Sequence, residues 1–237
     1  SHDGIMGEAY YRGNGGDLRS PTSWAPIMGS AYDRSLTQWS KGDYPFASNT
    51  EDDLAIIASD KNGIGYASSS IGLDTDAGNG ARLLNVIGGT FTLNGILKTT
   101  AAPDRFKFST SGGAFSICAK PADPKVTNVD LELELLNESG LTVAIENPAN
   151  ILEASIARDA LAAGTYELLV RAAPNVSPSS EEAQRYPAYG SLGAYVLSGT
   201  LENAVPLPEI LNPLRVYGTL GQSFSHRILL SRGSRVS

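Results

Sequence analysis

The sequence predicts a mainly β protein: an antiparallel, jelly-roll-like β-sandwich preceded by a segment of loops and one short helix. Three observations carry that expectation. From about residue 88 onward, short runs alternate apolar and polar side chains, the period of a strand with one face in a core. Gly-, Asn- and Ser-rich punctuation separates the runs, and the chain's 25 glycines suit many tight turns. No long helical pattern lies between the runs, which argues against a parallel sheet with crossover helices.

The chain divides into four stretches. Residues 1–66 begin with loops: Tyr10-Tyr11-Arg12-Gly13-Asn14-Gly15-Gly16 is a turn cluster, and Pro21, Pro26 and Pro45 break any long helix. A short helix is expected after Asn49-Thr50-Glu51-Asp52-Asp53. Asn49 or Thr50 would cap it, the three acids suit the positive end of the helix dipole, and Leu54-Ala55-Ile56-Ile57-Ala58 supplies the apolar face. Asn62-Gly63 would stop it. Residues 67–87, rich in Ser, Gly, Asp and Asn, read as a connector.

Residues 88–203 carry the strands. Phe106-Lys107-Phe108-Ser109, Phe115-Ser116-Ile117-Cys118-Ala119, Leu131-Glu132-Leu133-Glu134-Leu135, Leu141-Thr142-Val143-Ala144-Ile145 and Tyr166-Glu167-Leu168-Leu169-Val170 each alternate. Gly112-Gly113, Asn137-Glu138-Ser139-Gly140 and Ala163-Gly164 punctuate them. Asn94-Gly95 fits either a hairpin turn or a bulge in an edge strand. Residues 175–189 read as a long polar loop, and Tyr189 to Gly199 as a closing strand. Residues 204–237 read as a Pro-containing linker with a basic tail.

Charge narrows the range of partners. Residues 213–237 hold Arg215, Arg227, Arg232 and Arg235 and no acid, so the rest of a chain of net charge −7 carries −11. An acidic body without a basic cluster argues against nucleic acid or an anionic membrane surface. No apolar run approaches the roughly 18 residues of a transmembrane helix. Cys118 is the single cysteine, which excludes an internal disulfide, and its alternating strand suggests a core position.

His2 and His226 are the only histidines, too few for a Ser/His/Asp constellation, and the Gly-rich stretches lack the phosphate-cradling spacing. Asp74 and Asp76, in a Gly/Asn-rich loop, are either solvated or calcium ligands, and the same alternatives hold for Asp104 and Asp130. Met28 is either a core methionine or the centre of a turn in Trp24-Ala25-Pro26-Ile27-Met28-Gly29.

Ser1-His2-Asp3-Gly4 followed by Ile27-Met28-Gly29 resembles the end of the metzincin zinc-peptidase signature, His-Glu-x-x-His-x-x-Gly-x-x-His and a Met-turn, with the Asp after the third His that marks the reprolysin/adamalysin branch. Thr37 to Tyr44 and Asn49 to Ile57 are similar to bacterial members, so the likeness covers residues 1–66. It implies that His2 is a zinc ligand, that Met28 lies beneath the metal, and that Asp3 braces the Met-turn. It also implies that Ser30, Ala31 and Tyr32 wall the S1′ pocket. Ile27 stands where adamalysins have cysteine, and Ser30 where some metzincins have a ligating tyrosine.

A weaker likeness over about 88–200, carried by Asp104-Arg105-Phe106-Lys107-Phe108 and by Tyr189 to Tyr195, is to the bacterial pre-peptidase C-terminal β-sandwich. The resemblance implies the C-terminal part of a secreted bacterial zinc endopeptidase acting on protein or peptide substrates. Two zinc ligands, the general-base Glu and the N-terminal catalytic subdomain are not in this sequence, so the chain alone is expected to be inactive. The alternative is a non-catalytic module binding polysaccharide or matrix protein.

Overall fold

In a computed structural model, residues 3–13, 18–44, 46–62, 65, 80–125, 127–175 and 186–206 are described. The chain is mainly β. Residues 3–62 contribute β1 (Trp24–Pro26) and β2 (Leu36–Gln38), a parallel pair, and one short helix, α1 (Asp53–Ala58). The cap is Asp52 rather than Asn49 or Thr50: its carboxylate accepts from the Ala55 N–H at 2.8 Å. Asn49 instead accepts from Glu51 N, an Asx turn that leads into the helix.

The sandwich is built from β3 (Arg82–Leu83), β4 (Thr90–Leu97), β5 (Asp104–Thr110), β6 (Gly113–Pro121), β7 (Leu131–Asn137), β8 (Thr142–Glu146), β9 (Ala154–Leu161), β10 (Gly164–Ala172), β11 (Gly193–Leu201) and β12 (Ala204–Val205). One sheet runs β12-β5-β10-β7-β8, with β3 also on β5; the other runs β4-β11-β6-β9. Every pairing in the two sheets is antiparallel except β3 with β5. The expected alternation appears as burial: Phe106, Phe108, Phe115, Ile117, Leu131, Leu133, Leu135, Leu168 and Val170 all face inward. Phe108 stacks on Phe115 at 5.3 Å and on Tyr166 at 5.6 Å, linking the two sheets through the core.

Four local readings change. Asn94-Gly95 forms no turn and no bulge; both lie inside β4, an edge strand whose ladder with β11 is continuous. Gly95 stands opposite Tyr195, and a Cβ there would lie 2.2 Å from Tyr195 Cζ, so the glycine makes room for a ring. Cys118 is half-buried on the outer side of β6, because Phe115, Ile117 and Ala119 take the inward positions. On β8 the inward residue is Ala144, leaving Leu141, Val143 and Ile145 exposed; a register shift between Leu135 and Leu136 of β7 accompanies that facing. Residues 188–190 form a 3₁₀ turn, so the closing strand begins at Gly193 rather than Tyr189. Among the described residues no helix is long and apolar enough to cross a membrane.

Candidate functional site

The segment starting at Asp3 meets the turn at Met28 through main-chain hydrogen bonds. Gly29 N–H closes back on Pro26 O at 2.9 Å, which puts Ile27 and Met28 at the corner of a tight turn. Asp3 N–H donates to Met28 O at 3.1 Å, Tyr11 N–H to Asp3 O at 2.7 Å, and Ser30 N–H to Tyr11 O at 2.8 Å. Ile27 N–H donates to Gln38 O at 2.8 Å, which ties the same turn to β2. Gly29 has no space for a side chain, since a Cβ would sit 2.4 Å from Tyr11 O.

The Asp3 side chain is turned to Asn49, into a pocket shared with Asp53 and Tyr44. Asp3 is fully buried; its Oδ1 accepts from Asn49 Nδ2 at 3.1 Å, while its Oδ2 has no protein partner. Burial, then the charge of nearby Asp53, pushes the Asp3 carboxyl up to about 6. Asp53, on the first turn of α1, is held by Ser40 N–H donating to its Oδ2 at 3.0 Å, and burial raises its carboxyl too. Tyr44 closes the pocket: its hydroxyl donates to Gly4 O at 2.9 Å, and burial followed by the Asp3 charge keeps that hydroxyl protonated. Tyr44 stacks on Tyr11 at 4.6 Å and meets Trp24 edge-on at 6.0 Å. The arrangement braces a turn and shelters a carboxyl. It presents no nucleophile with a neighbouring base.

Asp3 and the Met28 turn are therefore adjacent, but the brace is the Asp3 backbone, with its carboxylate turned to Asn49. His2 lies outside the described residues, as do Asp74, Asp76 and His226. The Met28 side chain is 38% exposed and Tyr32 is 95% exposed, with Ser30 and Ala31 half-buried between them, so these residues stand at an open surface. Asp104 and Asp130 lie elsewhere, in the sandwich. Asp104 Oδ2 accepts from the Tyr195 hydroxyl, and Asp130 Oδ2 from the Tyr186 hydroxyl at 2.6 Å. Asp130 is pushed up to about 7 by burial, against the lowering effect of that hydrogen bond, and its Oδ1 is unpartnered. Among the described residues no three His, Cys, Asp or Glu side chains gather closely enough to hold a metal ion.

Sequence reasoning took Asp53 for a helix-start charge and passed over Asn49, Tyr44 and Tyr189 as site residues. The signal in the sequence that could have found this pocket is the aromatic richness of residues 1–49.

No protein-family model and no curated protein matches the chain. Among solved structures it is similar to the pre-peptidase C-terminal domain of a collagenase from Bacillus anthracis, 19% identical, covering 52% of this chain and 99% of that one with a TM-score of 0.36. It is also similar to the Yersinia pseudotuberculosis-derived mitogen, 14% identical over 50% of this chain and 96% of that one, with a TM-score of 0.32. Likenesses this distant assign neither family nor activity.

Proposed function

We propose that the chain is the C-terminal part of a secreted zinc-dependent endopeptidase of metzincin type, with residues 1–66 as the base of the metal site and the β-sandwich as its appendage. One observation supports this most: the hydrogen bond from Asp3 N–H to Met28 O, which sets the residue after His2 directly on the Ile27-Met28 turn. In that reading the buried Asp3, Asp53 and Tyr44, with half-buried Asn49, hold the turn and the His2-bearing segment at a constant spacing. Zinc in the longer protein would supply a Lewis acid and an activated water.

The residues present do not by themselves fit the metal. His2 is one ligand where catalytic zinc sites use three from the protein. The other two, with the general-base Glu, belong to sequence N-terminal to Ser1 in this reading.

Apolar side chains exposed in this segment support such a neighbour. Met6, Tyr10, Ile27, Met28, Tyr32 and Phe46 are all exposed within the first 46 residues, and Met6 N–H donates to Phe46 O. The polysaccharide-binding alternative has less behind it. The exposed aromatics among the described residues are Tyr10, Tyr32 and Phe46, none of them on a sheet face of the sandwich.

The test is to express the natural reading frame extended upstream of Ser1 and to assay cleavage of a denatured protein. Hydrolysis lost to a chelator, restored by zinc and abolished by His2→Ala is the expected result. An upstream sequence without His-Glu-x-x-His, or hydrolysis indifferent to chelation, overturns the reading.

A further inference from the structure

We propose that the sandwich acts as an intramolecular clamp for residues 3–62, which keep their fold only while docked against it. This does not depend on the peptidase reading, and the two can fail separately. The observation that carries it is an asymmetry between the two cores. Among the described residues, the sandwich core, from Leu84 to Leu201, closes without any residue of 3–62. The smaller core of Trp24, Leu36 and Tyr44 is completed by Tyr186 and Leu152, both from the sandwich side of the chain. Trp24 and Tyr186 have ring centroids 6.1 Å apart. On its own, the segment has a two-stranded parallel pair with three residues in each strand and a six-residue helix, below what either element sustains in isolation.

Its polar groups depend on the sandwich in the same way. Buried Gln38 donates through Nε2 to Asn128 O at 2.7 Å and to Ser191 Oγ at 3.1 Å; Ser191 Oγ in turn donates to Ala173 O at 2.7 Å. The first turn of α1 leaves N–H groups that need acceptors, and Tyr189 supplies one. Leu54 N–H donates to its hydroxyl at 2.9 Å, and that hydroxyl donates to Asp52 Oδ1 at 2.6 Å, a contact made across 135 to 137 positions of sequence. Lys41 Nζ lies 5.2 Å above the same ring. At Gly190 the two parts touch so closely that a Cβ would fall 2.6 Å from Gln38 Cβ and 2.7 Å from Trp39 O.

Both tryptophans, Trp24 and Trp39, lie in the clamped segment, so fluorescence reports that segment while far-ultraviolet circular dichroism reports mainly the sandwich strands. Thermal unfolding of the full chain is followed by both signals for the wild type, Gly190→Ala and Tyr189→Phe. In the wild type the tryptophan transition does not outlast the dichroism transition. Gly190→Ala lowers the tryptophan midpoint by about 10 °C and the dichroism midpoint by less than about 2 °C; Tyr189→Phe, which removes only the hydroxyl, moves the same midpoint by about 4 °C. A tryptophan signal surviving beyond sandwich unfolding overturns the proposal. So does a Gly190→Ala protein whose two transitions fall together or stay in place.

Discussion

Replacing Asp130 by Asn should make the protein more stable at alkaline pH and flatten its pH dependence. Asp130 is buried at the start of β7, where the Tyr186 hydroxyl serves one carboxylate oxygen and nothing in the protein serves the other. Burial is the main reason its carboxyl rises from 3.8 to about 7. An unfolded chain releases this proton near pH 4, whereas the native protein holds it until about pH 7. Stability from this group is therefore complete below pH 4 and is lost as the pH rises through 7. At about 1.4 kcal/mol per pH unit the loss is about 4 kcal/mol, an upper bound because slight opening lets water reach the charge.

Asparagine keeps an oxygen for the Tyr186 hydroxyl and carries no charge. Burial and the adjacent carboxylate keep that hydroxyl protonated in the wild type, so the donor is unchanged. Urea unfolding at pH 5, 6, 7 and 8, followed by circular dichroism, gives the comparison. Asp130→Asn should gain about 2–4 kcal/mol over the wild type at pH 8 and less than half as much at pH 5, where the native carboxyl is still protonated but the unfolded one is not. Asp3 and Asp53, also raised, titrate equally in both proteins and cancel in the difference. A variant that follows the wild-type slope to within about 0.5 kcal/mol, or that is destabilised at pH 8, refutes the reasoning.

Other outcomes follow from particular contacts. Gly95→Ala drives a methyl into the Tyr195 ring and should cost about 1–3 kcal/mol in urea unfolding, whereas Gly140→Ala, with open space around it, should cost only the strain of its positive φ. Asp52→Ala removes both the helix cap and the acceptor for the Tyr189 hydroxyl, and a loss of about 1–2 kcal/mol is expected in urea unfolding followed by tryptophan fluorescence. Phe108→Ala, which empties the space between Phe115 and Tyr166, should cost about 3–5 kcal/mol. Adding millimolar calcium to chelated protein should move the melting midpoint by less than about 1 °C, because Asp104 and Asp130 each already hold a tyrosine hydroxyl; a rise of several degrees would restore calcium to one of them.

The strands were legible because each is a local pattern: alternation in Phe106 to Ser109 or Leu131 to Leu135 needs no knowledge of the partner strand. Facing was less legible. Val143 and Ile145 alternate as core residues would, but Ala144 between them takes the inward position and leaves both facing out. Cys118 read as core because it is small and sits in a strand, although its parity with Ile117 and Ala119 already placed it on the other face. The candidate site was legible only in its outline, as Asp3 and the Met28 turn. Asp53 looked like a solvated helix-start acid because nothing local reveals that the loop at Ser40 folds over it. Tyr186 and Tyr189 border a polar loop in sequence, and their partners Trp24, Asp52 and Leu54 lie far off along the chain.

The hydroxyl of Tyr195, on β11, crosses the core to the Asp104 carboxylate on β5 of the opposing sheet, over the space that Gly95 leaves open. Three positions far apart in the sequence thus share one constraint. A side chain at 95 has no room beside a ring at 195, and without that ring's hydroxyl the buried carboxylate at 104 would lose a donor. Across natural relatives these sites are expected to change as a set: a larger residue at 95 should come with a small aliphatic residue at 195 and an uncharged one at 104. Sequence divergence at this end of the sandwich would then proceed by joint replacement, with the single changes selected against.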